Sequence, residues 1–162
     1  MSKALVVTGG SRGIGHCVSL GAVGEGWDVC VNYVRNEKRA RETVAQIESV
    51  GGRAVAVQAD IANEEDVIRL FETCEQELGP VKGAVNSAGI VEPYGLMEDL
   101  DYQEMLPLID INVNAALIVS REAVRRMSPR LGGDGGSIVL VSSVSSRLGG
   151  AGYCIPYAAS KG

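Results

Sequence analysis

The sequence has 162 residues, of which 46% are hydrophobic and 22% are charged, a composition typical of a folded globular chain. A length inside the usual range of about 100 to 200 residues predicts a single domain over residues 1–162. The net charge is −5 and the basic residues alternate with acidic ones, which argues against nucleic acid as a partner.

The cysteines and the N-terminus indicate the compartment. Cys17, Cys30, Cys74 and Cys154 are far apart and show no C-x-x-C spacing, so neither a zinc site nor a disulfide framework is predicted. The apolar run at residues 4–8 is too short for a signal peptide or a membrane span. We therefore expect a cytoplasmic protein without membrane contact and without a bound metal.

Short apolar runs alternate with longer amphipathic stretches along the chain. The runs predict strands that are buried on both faces, at residues 4–8, 28–33, 53–59, 83–88 and 137–143. The stretches between them predict helices near residues 13–25, 37–50, 63–78 and 100–130. This alternation predicts right-handed βαβ units and an α/β fold, a doubly wound parallel sheet with helices on both faces.

Three local features concern the predicted helices. Asn63 is expected to cap the third helix, with Asp66 in its first turn. Pro107 is expected to start a new helix or to kink one. Gly21 and Gly24 each cost the first helix about 1 kcal/mol relative to alanine, which close packing against the sheet would explain.

The stretch "TGGSRGIG" at residues 8–15 follows the first strand directly and leads into the first helix. Glycines at such a turn let the backbone approach a pyrophosphate, which then lies against the positive end of the helix. The spacing of Gly9, Gly13 and Gly15 differs from G-x-G-x-x-G, and a plain tight turn would need the same glycines. The turn therefore indicates a dinucleotide site only in combination with other signals.

The end of the second strand bears on the choice of dinucleotide. An NAD site usually places a carboxylate there for the ribose hydroxyls, but this strand ends with Asn32 and Tyr33. Arg12 lies in the glycine turn and Arg35 lies just past the strand, where guanidinium groups suit a 2′-phosphate. Two solvated loop arginines are the alternative. The pattern favours NADP.

The last predicted helix carries Tyr157 and Lys161, four residues apart in "IPYAASKG" at residues 155–162. This spacing puts both side chains on one face of a helix. An ammonium group beside a phenol favours the phenolate, which makes the tyrosine a usable acid or base near neutral pH. Y-x-x-x-K alone is common on helix surfaces, so the pair needs support from other motifs.

Together these motifs resemble the short-chain dehydrogenase/reductase family, in its classical NADP-linked branch with a Rossmann fold. The resemblance extends over the whole chain: "TGGSRGIG" is similar to the family's TGxxxGxG turn, "NSAG" at residues 86–89 to its NNAG motif and "YAASK" to its YxxxK motif. Ser87 departs from the second asparagine of NNAG, which weakens the cofactor hydrogen bonding expected there. Asp60, in "AD", matches the adenine-contacting position.

The resemblance also implies the residues that contact the cofactor. They are Thr8, Gly9, Ser11, Arg12, Gly13, Ile14, Gly15, Tyr33, Arg35, Asp60, Ile61, Asn86, Ala88, Gly89, Tyr157 and Lys161.

The catalytic tetrad implied by the resemblance is Asn112, Ser143, Tyr157 and Lys161. The activity would be hydride transfer between NADPH and a small-molecule carbonyl or secondary alcohol, with the chemistry supplied by the nicotinamide. Tyr157 would protonate the substrate oxygen and Ser143 would hydrogen-bond it. Lys161 would favour the phenolate and hold the nicotinamide ribose, and Asn112 would hold a water that links Lys161 to solvent.

Competing candidates lie beside two of these residues. Asn114 competes with Asn112, and the serines that compete with Ser143 are Ser142, Ser145 and Ser146. The only histidine, His16, is expected to be a surface or packing residue. A single histidine without a G-x-S-x-G motif excludes a Ser-His-Asp hydrolase.

A dinucleotide-binding redox-sensing regulator without turnover is the alternative function, since it would keep the glycine turn and leave the tetrad unused. The presence of all tetrad residues favours the enzyme. The substrate is not readable, because the segments expected to select it, residues 90–100 and 146–156, are rich in turn residues.

Members of the family continue beyond YxxxK, so the resemblance implies that the C-terminal part of the fold is missing from a chain that ends at Gly162. It further implies a homotetramer or dimer at full length, formed by the helices near 100–130 and after Tyr157. We therefore expect residues 1–162 expressed alone to expose apolar surface and to lack reductase activity.

Overall fold

Strands and helices alternate through residues 3–162, the part of the chain that the computed structural model describes; the first two residues of the predicted 1–162 domain lie outside it. The strands are β1 Ala4–Thr8, β2 Asp28–Tyr33, β3 Ala54–Gln58, β4 Val81–Asn86 and β5 Ser137–Leu140. The α helices are α1 Gly13–Gly24, α2 Glu37–Ser49, α3 Glu64–Leu78, α4 Tyr102–Ile109, α5 Ala115–Met127, α6 Ser145–Leu148 and α7 Ile155–Lys161.

The strands form one parallel sheet in the order β3-β2-β1-β4-β5. The predicted doubly wound parallel sheet is therefore confirmed. Because β1 pairs with both β2 and β4, the winding reverses between β1 and β4. The carboxyl ends of the strands leave a crevice at such a reversal, where ligands of open α/β sheets bind.

An apolar core lies on each face of the sheet. On one face Val6 packs with Phe71 of α3 and Val119 of α5. The next residue of β1, Val7, points to the other face and packs with Ile47 of α2. Side chains alternate along a strand, so covering both faces with helices requires the continuous apolar runs that the sequence contains.

The predicted strand at 83–88 differs from the observed β4 at both ends. The observed strand begins two residues earlier than the predicted one. It ends at Asn86 because the next two backbone N–H groups are turned away from the sheet. Ser87 N and Ala88 N both donate to the hydroxyl of Thr8, over 3.1 and 3.2 Å. The last strand is also shorter than predicted and ends at Leu140.

The predicted long helix at 100–130 is divided. Pro107 lies inside α4 and starts no helix, contrary to one of the two expectations for it. A wider π-helical turn, Asp110–Asn114, follows α4 and precedes α5. Asn112 lies within this turn and is 4% exposed, so the change in helical winding coincides with a buried polar side chain.

Two expectations about the helices have opposite outcomes. The expected cap of α3 is confirmed, since the Asn63 side chain accepts a hydrogen bond from Asp66 N over 3.1 Å. The explanation for Gly21 and Gly24 is wrong: a Cβ at either position would meet no atom of residues 3–162 within 4 Å. Both glycines face open space, and no contact explains them.

Arg126 links α5 to α3 and is held in place by a buried carboxylate on α5. Glu122 is 2% exposed and accepts hydrogen bonds from Arg125 over 2.7 Å and from Arg126 over 2.8 Å. Burial alone would raise the pKa of Glu122, but the hydrogen bond from Arg126 and the charges of both arginines hold it below its ordinary value. Arg126 also contacts Glu75 of α3 over 2.9 Å.

The described residues contain neither a candidate membrane span nor a candidate metal cluster. In residues 3–162 no helix is both long enough and apolar enough to cross a membrane. The same part of the chain contains no group of three or more His, Cys, Asp or Glu side chains placed to hold a metal ion.

Candidate functional site

The glycine turn between β1 and α1 lies at the reversal of the sheet and is held there by Asn32. Gly9 N donates to Asn32 Oδ1 over 3.2 Å, and Gly10 N donates to Asn32 O over 3.0 Å. The amide of Asn32 in turn donates to Ala59 O over 2.9 Å. From the sequence, Asn32 was interpreted only as the absence of the carboxylate that an NAD site usually has at the end of this strand. The signal for this second role was a polar residue inside an apolar strand.

The glycines of the turn serve different purposes. Gly9 and Gly13 have φ values of +62° and +54°, a region that favours glycine. A Cβ on Gly15 would overlap the carbonyl oxygen of Gly9, whereas a Cβ on Gly13 would meet no atom of the described chain within 4 Å. Gly15 is therefore required for the turn itself, and Gly13 leaves the backbone open to a ligand.

The N-terminus of α1 differs from those of the next helices. The side-chain oxygens of Asn36, Asn63 and Asp101 accept hydrogen bonds from first-turn N–H groups of α2, α3 and α4 respectively. α1 begins after Arg12 with no side-chain cap from residues 3–162. The positive end of the α1 dipole is thus available to an anion, and the turn fits a pyrophosphate.

Thr8 and Asn86 join the carboxyl ends of β1 and β4. The Thr8 hydroxyl donates to Asn86 Oδ1 over 2.7 Å and accepts the N–H groups of Ser87 and Ala88. A Cβ on Gly9 would lie 3.1 Å from the Cα of Ala88. Thr8 and Asn86 are buried, so their side chains shape the site by holding the loop after β4 against the glycine turn.

The residues predicted on the adenosine side are not equally accessible. Ile61 has its side chain in the core, packed near α3, which leaves only its backbone for a ligand. Tyr33 is also buried, in the core on the other face. Asp60 is exposed, and its carboxylate accepts a hydrogen bond from Ala62 N over 3.1 Å.

Arg12 and Arg35 carry unpaired guanidinium groups. Both side chains are exposed, and neither takes part in a salt bridge within the described residues. Arg41 and Arg53, by contrast, pair with carboxylates over 2.6 and 3.0 Å. Exposed guanidinium groups without a carboxylate partner in residues 3–162 suit the recognition of a phosphate.

Gly89 is the point where three segments of the chain converge. A Cβ on Gly89 would lie 3.0 Å from Asn112 Oδ1 and 3.3 Å from Lys161 Nζ. The loop after β4, the π-helical turn and α7 therefore meet at this glycine. A side chain at this position would require the amide and the ammonium group to shift by a few tenths of an ångström.

Asn112 connects these segments by hydrogen bonds. Its Oδ1 accepts from Ile90 N over 2.9 Å, and its Nδ2 donates to Ile90 O over 2.8 Å and to Ser160 Oγ over 2.9 Å. Asn114 is exposed and bonds only to Asp110 of its own turn. The structure thus connects Asn112 to α7, through Ser160, a residue that sequence reasoning missed.

Replacing Asn112 with alanine is expected to lower the free energy of unfolding by about 3 kcal/mol. The change leaves the half-buried N–H and C=O of Ile90 without their partners, and a polar group that loses its partner away from water costs about 1–3 kcal/mol. Urea unfolding measures the effect. Asn114→Ala is the matched control, with an expected change within about 0.5 kcal/mol because that side chain is exposed. Equal effects of the two changes would contradict the role given to Asn112.

Lys161 places a positive charge beside Tyr157. Lys161 Nζ donates to Val141 O over 3.1 Å and lies 6.0 Å from the centre of the Tyr157 ring. Burial lowers the pKa of Lys161 from its ordinary value. The structure therefore brings the pair together as the four-residue spacing predicts, with the ammonium group held by the end of β5.

The serines after β5 differ in what their hydroxyls bind. Ser142 donates to Lys161 O over 2.7 Å and Ser146 donates to Ser143 O over 2.7 Å. The Ser143 hydroxyl accepts a backbone N–H over 3.1 Å and so retains its own proton for a ligand. No hydrogen bond joins Ser143 to Tyr157 among the described residues.

The whole described part of the chain is similar to known proteins. The family model for short chain dehydrogenases matches residues 3–162. The protein is similar to "Uncharacterized oxidoreductase YgfF" of Escherichia coli (strain K12), with 43% identity over 157 residues, 97% of this chain and 64% of that protein. It is 37% identical over 147 residues to a 3beta-hydroxysteroid dehydrogenase of Mediterraneibacter gnavus, covering 91% of this chain and 51% of that protein.

A solved structure is similar in fold as well as in sequence. It is a short chain dehydrogenase from Burkholderia cenocepacia in complex with NADP, with a TM-score of 0.89 and 34% identity. The match covers 98% of this chain and 62% of that one. The chain thus spans between about half and two thirds of the length of these proteins.

Proposed function

The chain belongs to the short-chain dehydrogenase/reductase family, and from this premise we propose that it acts as an NADP-dependent oxidoreductase on a carbonyl or secondary alcohol. The observation that carries the proposal is the convergence at Gly89, where Asn112 Oδ1 and Lys161 Nζ lie within 3.0 and 3.3 Å of one Cβ position. A buried amide, an ammonium group and a phenol next to the glycine turn suit proton transfer to a bound carbonyl.

The residues at the reversal of the sheet, between β1 and β4, suit a dinucleotide with a 2′-phosphate. The uncapped start of α1 would take the pyrophosphate, and Arg12 and Arg35 would take the 2′-phosphate. The loop after β4 would form the wall beside the nicotinamide, with Lys161 toward its ribose. When bound, the cofactor supplies the hydride. The NADP complex of the Burkholderia cenocepacia relative supports this choice of cofactor.

The chain itself supplies the proton and holds its donor. Tyr157 would donate its hydroxyl proton to the substrate oxygen during reduction, while Ser143 hydrogen-bonds the same oxygen. Lys161 holds its positive charge 6.0 Å from the centre of the Tyr157 ring, close enough to interact with charge that develops there during the reaction. Asn112 acts as a positioning residue: it binds Ser160 on the helix that carries Tyr157 and Lys161.

The substrate is proposed to have an apolar body. Segments 90–100 and 146–156 are joined by a hydrogen bond from Gly95 N to Tyr153 O over 3.0 Å. They expose Tyr94, Leu96 and Tyr153, which suits contact with a hydrophobic ligand. The 3beta-hydroxysteroid dehydrogenase among the relatives acts, by its name, on such a molecule.

We propose that copies of the protein associate through α5. Leu117 and Val124 are 65% and 44% exposed, and they lie seven residues apart on one face of the helix. Large exposed side chains at this spacing form an apolar stripe that a second copy of the same helix can cover.

Replacing Arg12 and Arg35 together with alanine is expected to weaken NADPH binding by at least about 100-fold, since hydrogen bonds to charged groups contribute about 1.5–3 kcal/mol each and about 1.4 kcal/mol corresponds to a factor of ten. NADH binding is expected to stay within about twofold because NADH has no 2′-phosphate. Titration calorimetry measures both dissociation constants. Arg130→Ala, an exposed arginine after α5, is the control. Equal binding of NADPH and NADH by the unmodified protein would contradict the cofactor proposal.

A further inference from the structure

His16 connects the glycine turn to the neighbouring helix. Its backbone N–H donates to Arg12 O over 3.1 Å, so it lies one helical turn after Arg12 on α1. Its Nδ1 lies 2.9 Å from the hydroxyl oxygen of Thr43 on α2. Thr43 is 1% exposed, which makes this a specific buried partner for the only histidine of the sequence.

The connection continues to the start of α2. The Thr43 hydroxyl donates to Arg39 O over 3.0 Å, and because a hydroxyl has a single proton, it accepts from His16 Nδ1–H. Arg39 N donates to Asn36 Oδ1 over 3.0 Å, and Asn36 directly follows Arg35. A series of hydrogen bonds therefore joins the glycine turn to Asn36, the residue that follows Arg35.

We propose that His16 and Thr43 form a positioning bridge that sets the spacing between Arg12 and Arg35, and thereby the preference for a cofactor with a 2′-phosphate. The inference rests on the proposed function, in which the two arginines bind that phosphate. The arginines lie on separate elements and are exposed. Charge-assisted hydrogen bonds need donor–acceptor distances of about 2.7–2.9 Å, so a change in the separation of α1 and α2 weakens a two-arginine site.

A role confined to packing makes a different prediction. If the bridge only stabilised α1 against α2, its loss would weaken NADPH and NADH equally. If it positions the arginines, its loss weakens NADPH alone. The ratio of the two dissociation constants therefore distinguishes positioning from packing, and it requires no turnover.

The test is a double-mutant cycle on the natural-length protein with His16→Ala, Thr43→Val and the combination of both. Each single change is expected to lower the NADPH preference about fivefold, and the combination is expected to lower it by no more than about fivefold, since residues in contact are not additive. NADH affinity is expected to stay within about twofold. Thr43→Ser keeps the hydroxyl and is expected to keep the preference, and thermal unfolding verifies that each variant is folded.

Four outcomes would overturn the bridge. Single effects that multiply to about 25-fold would show that the two side chains act independently. Equal weakening of NADPH binding and NADH binding would show that the bridge only packs α1 against α2. If every variant kept the preference for NADPH over NADH, the bridge would be wrong and the cofactor proposal would stand. If the unmodified protein had no preference for NADPH, both the cofactor proposal and the bridge would be wrong.

Discussion

Replacing Tyr157 with phenylalanine is expected to lower turnover about 1000-fold in the natural-length protein, within the range of about 10² to 10⁴ that a positioned acid or base contributes. The change removes the proposed proton donor and keeps the half-buried ring. Lys161 remains bonded to Val141 O, so the loss is confined to the chemical step. NADPH oxidation measures the rate, and calorimetry is expected to give an NADPH dissociation constant within about threefold of the unmodified value.

A second tyrosine provides the control for this change. Tyr102 is exposed at the start of α4, and Tyr102→Phe is expected to leave turnover within about twofold. A Tyr157→Phe protein that retained more than about a tenth of the activity would rule out this hydroxyl as the proton donor.

Replacing Gly15 with alanine is expected to lower the free energy of unfolding by about 3 kcal/mol, at the upper end of typical overpacking costs. The added Cβ would overlap the carbonyl oxygen of Gly9 and lie 3.1 Å from the Cα of Gly10. Both obstacles are backbone atoms, so the turn itself must open. NADPH binding is expected to weaken about 100-fold, because the pyrophosphate loses its contacts with the turn. Urea unfolding and calorimetry measure the two effects.

The same helix contains a matched control. A Cβ on Gly21 would meet no atom of residues 3–162 within 4 Å, and Gly21→Ala is expected to raise the free energy of unfolding by about 0.5–1 kcal/mol through helix propensity and the unfolded state. Similar effects at the two positions would contradict the requirement for glycine at residue 15.

The sheet could be predicted because its signal is local. Strands covered on both faces need continuous apolar runs, and β1 and β2 were bounded correctly from those runs alone. The end of β4 could not be predicted in this way. It depends on the Thr8 hydroxyl, which captures two N–H groups from residues 79 and 80 positions further along the chain.

The candidate site also contains features that local sequence predicts and features that depend on contacts between distant residues. The pairing of Tyr157 with Lys161 follows from helical spacing, and the structure brings the two side chains together. The placement of Asn112 depends on a π-helical turn, which no periodicity of three to four residues indicates. Gly89 and Ser160 acquire their roles only when distant segments meet, so their contacts were invisible in the sequence. The catalytic role of each residue remains a prediction.

The most direct test of the account follows deuterium from labelled NADPH into product. The natural-length protein is incubated with NADPH that carries deuterium at the transferable position of the nicotinamide, together with a panel of ketones and 3-oxoacyl thioesters. We expect cofactor oxidation and an alcohol product with the label on its carbinol carbon, detected by mass spectrometry, and loss of both in Tyr157→Phe. Tight NADPH binding without oxidation across the panel would contradict the account and favour a cofactor-sensing regulator.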